Sequence, residues 1–193
     1  MPASKSHIAP AEIMAVVLAR EVRDGELNAV GAASQIPMAA IKLAKATHAP
    51  NADWFCGGSG AINSTLPTLL DSAADTRNLF GAEYRNSMED VVDLEMRGRT
   101  DAVYYGGIQV DKYGNINMVC VGDYENPKMR GPGSVGLALA GSFGRTYIYL
   151  QHHDPRILVD KVDFISGPGH MDGSGLRAEM ALETSKGPCL LVT

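Results

Sequence analysis

Two glycine clusters, each directly after a short apolar run, are the residues of this sequence best suited to chemistry. Gly106 and Gly107 follow the run of residues 102–105, and the Gly-Gly-Ser-Gly segment 57–60 follows residues 54–56. A strand that ends in paired glycines leaves backbone N–H groups bare, with no Cβ to hold a ligand away. In open α/β sheets, ligands bind at this carboxyl end of the strands. A tight strand connection without chemistry is the alternative for either cluster taken alone.

Side chains that could act as nucleophiles or metal ligands are few. Cys56 lies within an apolar run, which favours a buried small hydrophobe over a nucleophile. His152, His153 and Asp154 are adjacent, but neighbours on an extended chain point in opposite directions, and no third ligand has suitable spacing. The sequence therefore predicts no metal site.

The elements that position these residues alternate along the chain. Predicted strands at residues 27–30, 54–56, 102–105, 146–150, 162–165 and 190–192 are separated by helices that begin near Pro10, Pro37 and Ser87. A polar loop is predicted at residues 123–130, and a helix of small residues is predicted at residues 135–140. This order predicts an α/β fold with an open, mainly parallel sheet and helices on both faces. Gly31 to Ser34 form a small-residue turn between the first strand and its helix, which can bind an anion or simply allow close packing.

Composition limits the class of protein. The chain has 193 residues, 45% of them hydrophobic, which predicts one domain over residues 1–193, with residues 1–9 as a flexible arm. A net charge of -5 argues against nucleic acid as the main partner. Three scattered cysteines and the lack of a signal sequence or long apolar segment predict a cytoplasmic protein that does not bind membranes.

Three longer motifs carry a resemblance to a known family. They are GGIQVDKYGNIN at residues 106–117, VGDYENPKMRGPGSVG at residues 121–136 and ISGPGH at residues 165–170. Together they resemble the β subunit of family I coenzyme A transferases, nearest to glutaconate CoA-transferase and its relatives in aromatic and steroid-ring degradation. The resemblance runs in order from Glu12 to Thr193, where this chain ends earlier than the relatives do. It implies the fold that these enzymes share with sugar-phosphate isomerases.

The resemblance also implies a partner and a set of site residues. The partner is an α subunit of similar fold, the active site lies between the two, and coenzyme A enters as part of an acyl-CoA substrate, with no permanently bound cofactor. A backbone N–H near Gly107 would contribute to the oxyanion hole. The residues expected to line the active site are Gly57, Gly58, Ser59, Gly60, Gly106 and Gln109, with Gln109 fixing the loop. The candidate coenzyme A contacts are Gly31, Ser34, Lys128, Arg130, Gly133 and Ser134, although the two basic side chains could equally be solvated or face a partner.

One position departs from the family pattern. Glutaconate CoA-transferase carries its nucleophilic glutamate directly before a Ser-Gly pair, and alignment on Ser59 and Gly60 puts Gly58 at that position. Glycine cannot attack a thioester. Catalysis would then need a residue of the α subunit. The alternatives are a β subunit of a hydrolase that opens cyclic acyl-CoA rings, and a non-catalytic ligand-sensing or scaffold subunit.

Overall fold

The computed structural model describes residues 8–180 and 187–193, so most of the predicted N-terminal arm lies outside the described residues. The helices are α1 (Pro10–Ala19), α2 (Gln35–Thr47), α3 (Met88–Met96) and α4 (Leu176–Glu179), with 3₁₀ helices at Thr76–Leu79 and Val135–Leu139. The strands are β1 (Leu27–Val30), β2 (Asp53–Cys56), β3 (Ala61–Ile62), β4 (Tyr84–Arg85), β5 (Ala102–Tyr105), β6 (Gln109–Asp111), β7 (Ile116–Asn117), β8 (Cys120–Gly122), β9 (Pro127–Arg130), β10 (Arg145–Tyr149), β11 (Leu158–Val159) and β12 (Pro188–Val192).

A seven-stranded sheet in the order β12-β10-β5-β1-β2-β3-β4 forms the centre of the molecule. Strand β1 pairs in parallel with β2 and β5, and β10 pairs in parallel with β5 and β12. The short strands β3 and β4 are antiparallel additions at one edge. The strands after β5 also form two smaller sheets, a three-stranded sheet in the order β11-β6-β7 and a two-stranded sheet of β8 and β9. The prediction of an open, mainly parallel sheet is confirmed.

Helices cover both faces of this sheet because successive side chains of a strand point to opposite sides. On β5, Ala102 and Tyr104 pack into the cluster formed with α1 and α2, which includes the fully buried Leu18 and Ile41. Val103 of the same strand packs on the other side, against Val91 of α3 and against Phe143. The predicted arrangement of helices on both faces is therefore confirmed, and α3 lies on the face opposite α1 and α2.

Helix α3 begins where the sequence predicts, through a reciprocal cap. The Ser87 Oγ accepts a hydrogen bond from Asp90 N at 3.2 Å, and the Asp90 carboxylate accepts one from Ser87 N at 3.2 Å. This capping box satisfies backbone donors that would otherwise have no partner in the first turn. Gly98, with φ +65°, follows the helix and allows the chain to turn back into β5. The cap fixes the register of every α3 residue over the sheet.

Two predicted elements differ in the structure. Residues 162–165 form no strand, because side chains take the place of a strand ladder. The Asp163 carboxylate accepts hydrogen bonds from Gln109 Nε2 and Gly122 N, each at 2.8 Å, and Asp163 N donates to Gln109 Oε1 at 3.0 Å. The predicted helix at 135–140 is a 3₁₀ helix, in which Leu137 N donates to Ser134 O at 3.0 Å. The polar loop before it contains β9, so Lys128 and Arg130 lie on a strand.

Candidate active site

A cavity of about 880 Å³ lies at the carboxyl ends of four parallel strands, β1, β2, β5 and β10. Its walls are mostly apolar, and the strand-end segments 31–34, 57–58, 106–108 and 150–152 contribute to it. Helix α3 and the second 3₁₀ helix supply the opposite wall. A concave, largely apolar site at this edge of the sheet is typical of ligand binding in α/β proteins.

Gly106 and Gly107 both line the cavity directly after β5. Within the described residues, neither backbone N–H donates to a protein acceptor. A Cβ at position 107 would come within 2.8 Å of Ile116 Cγ2 and 3.0 Å of Gln109 O, so any side chain there would have to displace one of these neighbours. The pair therefore presents bare backbone donors at the cavity wall, which is the arrangement that an oxyanion needs.

Gly57 and Gly58 line the same cavity after β2, but their backbones differ. Gly58 has φ +95°, and a Cβ there would lie 2.9 Å from the Ala74 Cβ. Gly57 does not have a positive φ, and its added Cβ would lie 3.2 Å from Val30 O. Since L-residues rarely adopt positive φ, Gly57 accepts a side chain more readily than Gly58 does.

The turn after β1 brings Gly31 and Ser34 to the cavity wall, as expected for the candidate anion-binding turn. Ala33, between them, has φ +52°, which is a strained conformation for alanine. The Tyr149 hydroxyl donates to Ala33 O at 3.0 Å and lies 3.5 Å from Ser34 Oγ. Strained residues cluster at functional sites, and here a tyrosine from β10 fixes the strained turn at the cavity.

Three of the predicted lining residues lie outside the cavity wall. Ser59 is buried, and its Oγ is 3.5 Å from Ala61 N. In Gly60, an added Cβ would lie 2.1 Å from Asn86 O, so this glycine is fixed by close backbone packing. Gln109 is also buried, and its Oε1 accepts a hydrogen bond from Asn117 Nδ2 at 2.7 Å in addition to its contacts with residue 163. Gln109 thus joins β6 to β7 and to the loop of Asp163, and it does not line the cavity.

The predicted coenzyme A contacts after β8 lie apart from the cavity wall. The Arg130 guanidinium packs on the Tyr124 ring, with its Cζ 4.8 Å from the ring centre, and donates to Tyr124 O at 2.5 Å. Lys128 is exposed and lies near Asp163, whose pKa is lowered by hydrogen bonds from Gly122 N and Gln109 and, to a smaller extent, by this lysine. Gly133 and Ser134 lie between β9 and the 3₁₀ helix, while their neighbours Pro132 and Gly136 line the cavity.

Glu95 is the site residue that the sequence analysis missed. It lies on α3 and lines the cavity together with Met88, Val91 and Val92. Burial raises the pKa of the Glu95 carboxyl to about 7. Within the described residues, its side chain has no hydrogen bond or ion pair. The signal was present in the sequence, because positions 88, 91, 92 and 95 share one face of a helix and Glu95 interrupts that apolar stripe.

The remaining candidates have no catalytic surroundings. Cys56 is completely buried, and burial raises the pKa of its thiol to about 11, so it is protonated at neutral pH. His152 and His153 are exposed. In the part of the chain that the structure describes, no three His, Cys, Asp or Glu side chains are grouped to hold a metal ion. None of the helices in those ranges has the length and apolar character needed to cross a bilayer.

Comparison with protein families and known proteins agrees with the geometry. The family model described as "Coenzyme A transferase" matches residues 11–184. The B subunit of glutaconate CoA-transferase from Acidaminococcus fermentans is 31% identical over 188 residues, which cover 94% of this chain and 69% of that protein. The B subunit of 3-oxoadipate CoA-transferase from Pseudomonas knackmussii is 34% identical over 190 residues, with the same shares covered.

Solved structures show the same relationship. The crystal structure of glutaconate coenzyme A-transferase from Acidaminococcus fermentans superposes with a TM-score of 0.86 at 29% identity, over 97% of this chain and 73% of that one. The decarboxylase AibA/AibB superposes with a TM-score of 0.78 at 33% identity, over 84% of this chain and 68% of that one. Proteins similar to this chain thus include both transferases and a decarboxylase.

Proposed function

We propose that this chain, which belongs to the coenzyme A transferase family and is the β subunit of a heteromeric CoA-transferase-like enzyme, binds the acyl part of CoA thioesters in the cavity at its strand ends. Coenzyme A is part of the substrate and not a resident cofactor. The two transferase relatives named above are each the second subunit of a two-subunit enzyme, and that supports an α subunit as the partner.

The observation that carries this proposal is the pair of bare N–H groups at Gly106 and Gly107. A thioester carbonyl bound there would receive fixed hydrogen-bond donors as negative charge develops on its oxygen. Loss of one such donor typically lowers the rate by about 10²–10³. The packing around residue 107 keeps side chains away from this position, which supports a role for its backbone.

This chain has no carboxylate nucleophile at the end of β2, where Gly57 and Gly58 follow the strand. In transferase chemistry, a carboxylate attacks the thioester carbonyl, and the C–S bond breaks to give an acyl anhydride and CoA thiolate. The thiolate then attacks the enzyme-side carbonyl, releases the acyl group as its carboxylate and forms an enzyme thioester. With glycine at both 57 and 58, that carboxylate comes from the α subunit. The backbone geometry favours Gly57 over Gly58 as the position that corresponds to a nucleophile in relatives that carry one on this strand.

The missing carboxylate also favours a second candidate function, which is hydrolysis of a cyclic acyl-CoA. In that reaction, water attacks the substrate directly and no enzyme thioester forms. The oxyanion donors could serve both reactions. In transfer, negative charge develops on the thioester oxygen, and in ring opening by water it develops on a carbonyl oxygen of the ring. The two candidates differ in whether a free carboxylic acid is needed to accept coenzyme A.

The proposal is tested by intact-protein mass spectrometry of this chain purified with its α-type partner. The complex is incubated with a panel of acyl-CoAs, with and without acceptor acids, and each of the two proteins is examined for a CoA thioester. An adduct on the partner alone is the expected result, and an adduct on this chain would contradict the assignment of the nucleophile.

The same experiment separates the alternatives by their products. Consumption of acyl-CoA without adduct or acceptor supports hydrolysis, while release of CO₂ would indicate the chemistry named for the AibA/AibB relative. If the complex binds acyl-CoA but consumes none, the chain is a ligand-sensing or scaffold subunit. If nothing binds, the proposed function is wrong.

A further inference from the structure

The part of the cavity wall that α3 forms contains a negatively charged side chain and no positively charged one. Among the described residues that line it there is no lysine or arginine, and Glu95 is the carboxylate. His152 is the basic side chain at the rim, and it lies near Asp154, whose pKa is lowered first by Arg156 and to a smaller extent by this histidine. An anionic group that reached the α3 side of the cavity would therefore meet an acid and apolar side chains, with no lysine or arginine among the described residues of the wall.

Glu95 is held in the wall by the packing of α3. Val91, one turn before it, is almost completely buried against the sheet, so the rotation of the helix about its axis is fixed. Met88 and Val92 occupy the same stripe and also line the cavity. Tyr105 of β5 lies close enough that the Glu95 charge contributes to raising the pKa of its hydroxyl, after the larger effect of burial. The carboxylate thus lies between the helix and the strand that carries the glycine pair.

We propose that this cavity selects CoA thioesters whose acyl group has an uncharged, apolar end, and that Glu95 rejects acyl groups with a second carboxylate. The proposal rests on the function proposed above and specifies its substrate class. It separates this chain from the two named transferase relatives, because glutaconate and 3-oxoadipate each carry two carboxyl groups.

The physical reason is the cost of bringing two carboxylates together where water is partly excluded. Like charges placed face to face in such an environment oppose binding strongly, and no lysine or arginine among the described residues of the wall compensates for them. Burial already raises the pKa of Glu95 to about 7, which indicates that one negative charge is unfavourable at this position. An uncharged acyl group avoids the repulsion.

The test compares pentanoyl-CoA with glutaryl-CoA, which have five carbon atoms in the acyl chain and differ by the terminal carboxylate. Binding to the assembled enzyme is measured by isothermal titration calorimetry at pH 8, above the raised pKa of Glu95, so that its carboxyl is mostly ionised, with turnover as a second readout. We expect the wild type to bind pentanoyl-CoA roughly 100-fold more tightly than glutaryl-CoA. Glu95→Gln, which keeps the size and removes the charge, should reduce this ratio at least ~10-fold.

Asp93→Asn is the matched control. It removes a charge from the same helix, but Asp93 is exposed, pairs with Arg97 and does not line the cavity. The ratio of the two affinities should therefore stay at the wild-type value in this variant.

Three results would overturn the inference, and they can be told apart. Equal or tighter binding of glutaryl-CoA by the wild type would show that a cation of the partner governs the acyl end. An unchanged ratio in Glu95→Gln would remove Glu95 from the selection. If the wild-type enzyme binds neither ester, the proposed function fails and the inference fails with it.

Discussion

The glycine pairs after β2 and β5 have the same sequence and line the same cavity, but the structure requires glycine for different reasons. At Gly107 the reason is space, because an added Cβ would meet Ile116 Cγ2 at 2.8 Å. At Gly58 it is mainly backbone conformation, since φ is +95°. Gly57 and Gly106 do not have a positive φ, and an added Cβ would come no closer than 3.2 Å and 3.6 Å to its neighbours. Thus one glycine of each pair is structurally required, and only the β5 pair was proposed to contact the reacting group.

The largest effect is expected for Gly107→Ala. The new methyl group would displace Ile116 or the Gln109 backbone and turn the residue 107 N–H away from the thioester oxygen. We expect turnover of the assembled enzyme to fall by about 10²–10³, with a smaller change in KM. Steady-state kinetics with acyl-CoA measures both constants.

Gly106→Ala is the control for this prediction. Its added Cβ would lie 3.6 Å from Tyr149 O, which is an ordinary contact. Its turnover should stay within about threefold of the wild type, an effect of less than about 1 kcal/mol on the barrier. Equal losses in the two variants would show that the β5 glycines act through folding and not through a positioned donor.

The β2 pair should differ in stability. Gly58→Ala combines a positive φ with a 2.9 Å contact to the Ala74 Cβ, so we expect it to lower the free energy of unfolding by about 2 kcal/mol. In Gly57→Ala the new methyl group comes closest to Val30 O, at 3.2 Å, and the change should cost less than about 1 kcal/mol. Urea unfolding of the two variants measures the difference. If Gly57→Ala is the more harmful, the geometry does not favour position 57 for a side chain.

The sequence predicted the positions of these glycines but not the reasons for them. Strand endings follow from local apolar runs, so β1 and β5 and the cap of α3 were predicted closely. The close approach of Ala74 to Gly58 was not predictable, because Ala74 is distant in sequence and is placed by tertiary packing. Likewise, the loop of Asp163 was mistaken for a strand because its bonds to Gln109 and Gly122 are long-range side-chain contacts. Glu95 was missed because a single acid on a helix is usually solvated.

Glu95→Gln should make stability less dependent on pH. In the folded wild type, the pKa of the Glu95 carboxyl is raised from 4.5 to about 7. Between these pH values the folded state therefore holds a proton that the unfolded state has lost. Wild-type stability therefore falls as pH rises from about 4.5 to 7 and is then constant. At a fully buried carboxyl, a pKa difference of this size would change the free energy of unfolding by about 3 kcal/mol. Because Glu95 is partly exposed, we expect a change of about 1 kcal/mol.

The measurement for this prediction is the difference in thermal or urea stability between variant and wild type at pH 4 and pH 8. The variant should gain about 1 kcal/mol at pH 8 and nothing at pH 4. Asp93→Asn, on the exposed side of the same helix, should show no such gain. A gain of equal size at both pH values would mean that ionisation of Glu95 is not responsible.

The smallest effect is expected for Arg130→Ala. This variant removes a charge that lies outside the cavity, whereas Glu95→Gln removes one that lines it. The guanidinium packs 4.8 Å from the Tyr124 ring centre and bonds to Tyr124 O, and neither residue lines the cavity. Loss of these contacts should lower stability by about 0.5–1 kcal/mol, the usual value for an exposed cation–π pair. The KM for acyl-CoA should change less than about threefold, because this charge does not reach the acyl group. An increase in KM above about tenfold that falls with rising salt would instead assign Arg130 to the coenzyme A phosphates, and the binding surface would then extend from the strand ends to β9.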